Sequence, residues 1–411
     1  MAGIRPRRIA RMRLAARSAP RATERTAIVA VAVAAIAAFA DAYITQPLLP
    51  ILGHEYGVSP AIAGASVSAV VFAMALSSSA YGPLGDFLGR KRVMVVGCLL
   101  LALATFACAF APDFRALVAL RTLQGALIPS ISAVAVAYLG DLGGKRDLGS
   151  LVGLYIGATV TGGFIGRVGS GMIAGALTWR ASFVAYAGLT LVAALVLAFG
   201  LRERRVSHEL RDGNVRLAFA DAYGAMFRHI GNPKLLGAFF AGATLFFGFI
   251  GVFTYLPYLL TVPPFSLSTG TVAWFYASYI AGIFTAPIAG RLSRRMSQQK
   301  LVAIGFCIAL LGLALTALGS LVAIVIGTIV LCIGMFAAQA IVPTYVNVTA
   351  RVAKGGASAL YQAFYYVGAV FGSTLPGLGW EWYGWPGVLV TCGASMVLGL
   401  AAFVVLCRDD T

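Results

Sequence analysis

Apolar residues run along this chain in long unbroken stretches, and polar or charged residues gather in short clusters between them. Each stretch has the ~20 residues a helix needs to cross a hydrocarbon core about 30 Å thick. They predict twelve spans, near residues 26–50, 61–82, 93–111, 114–139, 148–175, 181–201, 235–260, 268–290, 301–318, 321–346, 357–379 and 386–407. A membrane β-barrel would instead alternate in polarity over segments of roughly ten residues. The expected fold class is therefore an all-α membrane protein of twelve transmembrane helices.

The widest polar interruption, 202–234, divides the spans six and six. The halves echo one another. The stretch from Gly162 to Gly171 aligns with Gly368 to Gly377 at an offset of 206, matching Gly166 with Gly372 and Trp179 with Trp385; Gly82 has a weaker echo at Gly290. Six spans per copy leave the copies in the same orientation, so two pseudo-symmetric six-helix bundles related by an axis along the membrane normal are expected. The predicted organisation is a basic tail (1–25), a first bundle (26–201), a central loop (202–234), a second bundle (235–407) and a short tail (408–411).

Composition agrees with this reading: 60% of the 411 residues are hydrophobic and 11% charged, against about 25% charged in soluble domains. Forty-eight glycines suit close approach of membrane helices. A net charge of +17 would point toward nucleic acid if it were spread over one surface. Instead 27 of the 31 Lys and Arg residues fall in segments on one side of the twelve spans, with Arg115 and Arg180 opposite. That asymmetry predicts a multi-pass protein of the cell inner membrane with both termini cytoplasmic, attraction to anionic lipid, and no nucleic-acid partner. The first apolar stretch is too long, and its basic tail too extended, for a cleavable signal peptide. Cys98, Cys108, Cys307, Cys332, Cys392 and Cys407 fall within or at the end of spans without CxxC spacing, and His54, His208 and His229 lie apart in loops, so neither a metal nor a cofactor is expected. No hydrolase or nucleotide-binding motif appears, and an enzyme is not predicted.

Between spans two and three stands Gly82-Pro83-Leu84-Gly85-Asp86-Phe87-Leu88-Gly89-Arg90-Lys91-Arg92. Span four carries Arg121-Thr122-Leu123-Gln124-Gly125, and span five a glycine-rich run from Gly153 to Gly175. Together these resemble the signatures of the major facilitator superfamily, and the span-five run resembles the antiporter motif of its twelve-helix drug/proton branch. Phe87 stands where the family usually has a basic residue, and Arg167 follows Gly166 where the motif usually has proline. The resemblance implies the major facilitator fold, secondary transport by alternating access, and a monomer. It further implies a cytoplasmic gate motif at Gly82, Asp86, Gly89, Arg90 and Arg92, in which Asp86 faces the start of span eleven and latches that side in the outward-facing state.

Asp41 is the acidic residue placed inside a span, and Arg121 and Arg167 are cations in spans four and five. Charges within a bilayer cost about 2.5–3.5 kcal/mol to insert and face the protein interior or a wet cavity. Counting ~1.5 Å per residue from the span ends, all three lie ~10–14 Å from the outer boundary, a shared layer that permits an Asp–Arg contact. A buried carboxylate beside an arginine is a candidate proton carrier. Proton coupling is therefore expected at Asp41, Arg121 and Arg167. Tyr43, Gln46, Gln124, Phe246, Phe253, Tyr276, Gln339, Tyr361, Gln362 and Tyr365 are expected to line a solute cavity. The leading expectation is a proton-coupled exporter of hydrophobic drugs or metabolites, with a small solute and protons as its partners. The alternatives are a transporter of a specific solute such as a sugar or an organic anion bound by Arg167, and a non-transporting receptor or scaffold.

Overall fold

Alanine, valine and isoleucine fill the first helix, α1 (Ala22–Tyr43). In lipid the backbone must satisfy its own hydrogen bonds, which restricts such a run to helix. Pro47 and Pro50 end it: each lacks an N–H for the carbonyl four residues earlier. The chain passes through a 3-10 turn (Gln46–Leu48) into a short helix, Leu49–Tyr56. The remaining spans of the first bundle are α2 (Ala65–Leu88), α3 (Arg90–Cys108), α4 (Phe114–Leu127), α5 (Pro129–Ala176) and α6 (Trp179–Gly200). Those of the second are α7 (Pro233–Thr261), α8 (Ile280–Leu292, preceded by a 3-10 stretch Trp274–Tyr279), α9 (Gln298–Leu315), α10 (Leu321–Thr349), α11 (Lys354–Gly372) and α12 (Trp385–Leu406). The computed structural model describes residues 22–202, 228–350 and 354–407. The basic tail before residue 22, most of the central loop, Arg351 and the residues from 408 onward lie outside the described residues.

Helix starts follow the sequence. Asp113, Thr178, Asn232, Ser268, Ser297 and Ser320 each accept a backbone N–H of the first turn of the helix they precede, satisfying donors that a helix start leaves free. Gly89, between α2 and α3, holds φ +96°, a conformation that a side chain would strain.

The predicted fourth and fifth spans are found as Phe114–Leu142 and Leu151–Ala176; the break between α4 and α5 at Pro129 lies inside the fourth span, and α5 carries on through the turn to Ala176. The Tyr155 hydroxyl donates to the Ser132 carbonyl at 3.3 Å. A straight helix would hold residues that far apart ~35 Å from each other, so α5 folds back between them. One span departs from the sequence reading in hydropathy. Among the described residues, eleven segments are long and apolar enough to cross a membrane by composition, and α11 completes the twelve despite its polar content. Its Tyr361 and Tyr365 are buried against protein, so it does not need an apolar surface all round.

The duplication is physical. A Cβ on Gly162 or Gly166 would sit 2.3 or 2.4 Å from the carbonyl oxygens of Ile36 and Ala40 in α1. At the matching positions of the second bundle, a Cβ on Gly368 or Gly372 would meet the carbonyl oxygens of Ala243 and Phe247 in α7 at 1.9 and 2.4 Å. The α1–α5 and α7–α11 crossings therefore use the same small-residue rows.

Gly200 packs on Thr26 and Ala30, and Gly237 on Cys407, which defines the face carrying the termini. The hydrogen bonds described between the bundles lie toward the opposite face: Gln46 Nε2 donates to Thr254 Oγ1 at 3.1 Å, the Tyr258 hydroxyl to the Leu49 carbonyl at 3.0 Å, and the Ala61 N–H to Glu381 at 3.3 Å. Two glycine seams flank them. A Cβ on Gly171 would meet Ala273 Cβ at 2.5 Å, and one on Gly377 the Ala61 Cα at 2.5 Å. The matched glycines of the repeat thus close that face symmetrically. Filling a packed seam costs about 1–3 kcal/mol, so Gly171→Val is expected to favour the state open on that face. A membrane-impermeant maleimide added from that side should then label Tyr258→Cys roughly tenfold faster in Gly171→Val than in its absence; an unchanged rate would show that the seam does not hold the face shut.

Candidate functional site

The break after α1 sends neighbouring side chains in different directions. Asp41 points into the first bundle, whereas Tyr43 and Gln46 face the second. Two buried polar clusters result.

The inner cluster is centred on Arg121, which is 0% exposed. Its guanidinium donates to the main-chain carbonyls of Asp41 (2.7 Å), Ala42 (2.7 Å) and Ser66 (3.2 Å) and to Gln124 Oε1 (2.8 Å). These include the terminal carbonyls of α1, which have no helical partner because the helix ends there. Arg121 is therefore the cap of the broken helix. Gln124 Nε2 continues the network to Thr105 Oγ1 at 2.6 Å.

The Asp41 carboxylate, also 0% exposed, accepts from the Thr190 hydroxyl through Oδ2 at 2.7 Å. Its Oδ1 is buried without a hydrogen-bond partner. Neither arginine comes within ion-pair distance of it. Of the Asp–Arg contacts the shared layer permits, Arg121 makes one to the Asp41 backbone and not to its carboxylate, and Arg167 lies in the other cluster. Depth along a helix is countable from sequence, but the azimuth advances by about 100° per residue, and packing decides which neighbour each side chain meets.

The outer cluster lies between the bundles. Arg167, 2% exposed, donates from Nε to Gln46 Oε1 at 2.5 Å and from Nη1 to the Gly163 carbonyl at 2.8 Å. Its guanidinium carbon is 3.7 Å from the Tyr43 ring centroid, 4.4 Å from that of Tyr279 and 5.9 Å from that of Tyr276. Tyr276 is anchored by donating to the Phe253 carbonyl at 2.8 Å, while the buried Tyr279 hydroxyl has no partner. Aromatic packing continues through the second bundle, from Tyr279 to Phe253 and Phe249 and on to Phe246, which stacks on Tyr365 at 3.8 Å with Tyr361 beyond. Gln339 lies beside Tyr365, and Gln362 beside Tyr366.

Of the residues expected to line a cavity, Tyr43, Gln46 and Tyr276 meet at the interface around Arg167. Phe246, Tyr361 and Tyr365 pack together inside the second bundle, with Gln339 beside Tyr365 and Gln362 beside Tyr366. Gln124 is sequestered in the inner cluster. Phe253 is fully buried under Tyr276 and Tyr279. The sequence reading did not select Thr105, Thr190, Thr254 or Tyr279. Isolated threonines within apolar helices commonly bond their own backbone, so nothing in their spacing distinguishes those that meet Asp41 or Gln46.

At the terminal face, Asp86 ends α2 and pairs with Arg90 at 3.0 Å across the Gly89 turn. Arg90 also donates to the Ala137 carbonyl at 2.7 Å and pairs with Asp141. Among the described residues, these ion pairs lie within the first bundle. Gly82 and Arg92 belong to the same segment, with Gly82 in open space.

Comparison with known proteins adds to this geometry. Residues 31–356 match the family model described as Major Facilitator Superfamily. The chain is 31% identical to the inner membrane transport protein YnfM of Escherichia coli (strain K12) over 369 residues, covering 89% of this chain and 87% of that one. It is 29% identical to the uncharacterized MFS-type transporter YybF of Bacillus subtilis (strain 168), covering 89% and 90%. Among solved structures it is similar to the nucleoside transporter NupG (TM-score 0.75, 16% identity, 93% of this chain and 100% of that one). The D-xylose-proton symporter is a further neighbour (TM-score 0.74, 14% identity, 93% and 97%).

Proposed function

The chain belongs to the major facilitator superfamily, and from that premise we propose that this multi-pass membrane transporter is a proton-coupled antiporter that exports hydrophobic drugs or metabolites by alternating access. The observation that carries the proposal is Asp41. A carboxylate wholly buried in a membrane bundle, with one oxygen bonded to Thr190 and the other without a partner, is a group that gains or loses a proton at a cost its surroundings control. Its helix ends two residues later and leads through a short turn to Gln46, which bonds Arg167 of its own bundle and Thr254 of the other. A proton on Asp41 and a solute at the interface thus act on the same break in α1.

The aromatic cluster around Arg167 supports the solute class: the rings of Tyr43, Phe246, Tyr276, Tyr279 and Tyr365, brought together between and beside the bundles, are of the kind that suits a flat or apolar body. The positive-inside distribution supports termini in the cytoplasm. With that orientation the closed face is the outer one, and the state described is inward-facing. The Asp86–Arg90–Asp141 group would exchange its contacts for the start of α11 when the bundles rock the other way. The same reading takes the two bundles as the moving units and the protein as a monomer in lipid.

The test uses the protein in proteoliposomes carrying an enclosed pH-sensitive dye and an imposed pH gradient. Addition of a transported solute is expected to dissipate the gradient faster than leak. Solute flux that leaves the dye signal at the leak rate, at every gradient polarity, would refute proton coupling.

A further inference from the structure

Arg167 presents an imbalance that proton coupling leaves unexplained. Its guanidinium is 2% exposed at mid-depth, and no carboxylate among the described residues lies within ion-pair distance. An amide oxygen, a main-chain carbonyl and three tyrosine faces offset its charge in part. Faces of aromatic rings attract a cation, but they do not neutralise it. Breaking one side of a buried ion pair is costly because it leaves a charge uncompensated, and here the protein itself supplies only one side. The Tyr279 ring centroid lies 4.4 Å from the guanidinium carbon, and the hydroxyl of that ring is buried and unpartnered. One small region thus holds a cation without a carboxylate and a hydroxyl donor without an acceptor.

We propose that Arg167 and Tyr279 form the head-group site for the carboxylate of a small aromatic or amphipathic organic anion. This rests on the transport reading above and names its substrate class. The carboxylate takes the guanidinium in place of Gln46 and accepts the Tyr279 hydroxyl. Its apolar body lies against Tyr43 and the Phe246–Tyr365 stack. Because Gln46 is also the donor to Thr254, displacing it from Arg167 changes a bond that joins the two bundles, which ties occupancy to the gate. An organic cation is disfavoured, since it would place like charge beside Arg167 in a medium that screens poorly. A neutral solute would leave the guanidinium unneutralised.

The experiment compares binding of benzoate, benzamide and benzylamine to the intact purified protein in lipid nanodiscs by isothermal titration calorimetry. These differ mainly in charge at one position, so no variant is needed to test selectivity. Benzoate is expected to bind at least ~10-fold more tightly than benzamide, in keeping with the greater strength of charge-assisted hydrogen bonds, and benzylamine is expected to bind most weakly. In Tyr279→Phe the benzoate preference should fall several-fold, and in Arg167→Gln it should vanish while benzamide binding persists. Equal affinities for benzoate and benzamide, or a preference for benzylamine, would overturn the anion site. So would a benzoate preference unchanged in both variants. The proton reading is tested separately by gradient dissipation: a cation that binds and dissipates the gradient refutes the anion site alone, whereas an anion that binds and moves without protons refutes the coupling alone.

Discussion

Asp41→Asn is expected to abolish solute-driven proton movement while leaving exchange of solute down its own gradient intact. The substitution is close to isosteric, so the Asn amide can still accept from Thr190, and the bundle keeps its packing. What disappears is the ability to exist in charged and neutral forms. In the parent, the charged form is fully buried with one oxygen bonded to Thr190 and the other unpartnered, and the cost of that arrangement must change as the bundles rock and Thr190, Thr105 and the end of α1 shift. A coupling device needs only a few kcal/mol of difference between two states. The measurement pairs dye-reported proton flux with labelled-solute counterflow in the same proteoliposomes. Loss of the first with retention of the second identifies the carrier. Parent-like proton flux in Asp41→Asn would assign the residue a purely structural role and remove the basis of the antiport reading.

The second large effect is expected at Arg121, and it is expected in stability before transport. Removing the guanidinium leaves the carbonyls of Asp41, Ala42 and Ser66 and the Gln124 amide oxygen without their donor in a fully buried site. Each stranded buried acceptor costs about 1–3 kcal/mol, and breaking a buried charged network costs about 3–5 kcal/mol in all. Arg121→Gln should therefore lower the melting temperature in detergent by many degrees and reduce the yield of monodisperse protein. Arg121→Lys retains the charge but offers one compact head group where a planar fork spans several acceptors, so it should recover only part of the loss. Should both variants melt like the parent and fail only in proton flux, Arg121 would act as an electrostatic partner of Asp41 and not as the cap of α1.

Much of this protein could be read without coordinates because the bilayer leaves few choices. A run such as Leu321 to Thr349 has no alternative to helix in lipid, and the positions of Arg90, Arg121 and Asp41 along their helices follow from counting. Gly162, Gly166, Gly368 and Gly372 advertised the repeat, since only glycine admits the observed approach of α1 and α7 backbones. The sequence was less legible where a helix breaks inside a span, as at Pro129 between α4 and α5, and where a span is polar because protein covers it, as in α11.

The site divides along the same line. That Asp41, Arg121 and Arg167 are buried charges at similar depth is a property of hydropathy and residue number, and the sequence by itself determined it, together with the span order, the duplication and the asymmetry of charge. Which of them touch was decided only in three dimensions. The break after Tyr43 turns Asp41 toward Thr190 and Gln46 toward Arg167, and it frees the carbonyls that Arg121 captures. Helix formation is local and governed by a dominant free-energy cost, the unsatisfied backbone in lipid, so composition suffices to specify it. The pairing of polar side chains depends on rotation about each axis and on bundle closure, where differences of a few kcal/mol among distant residues choose the partner.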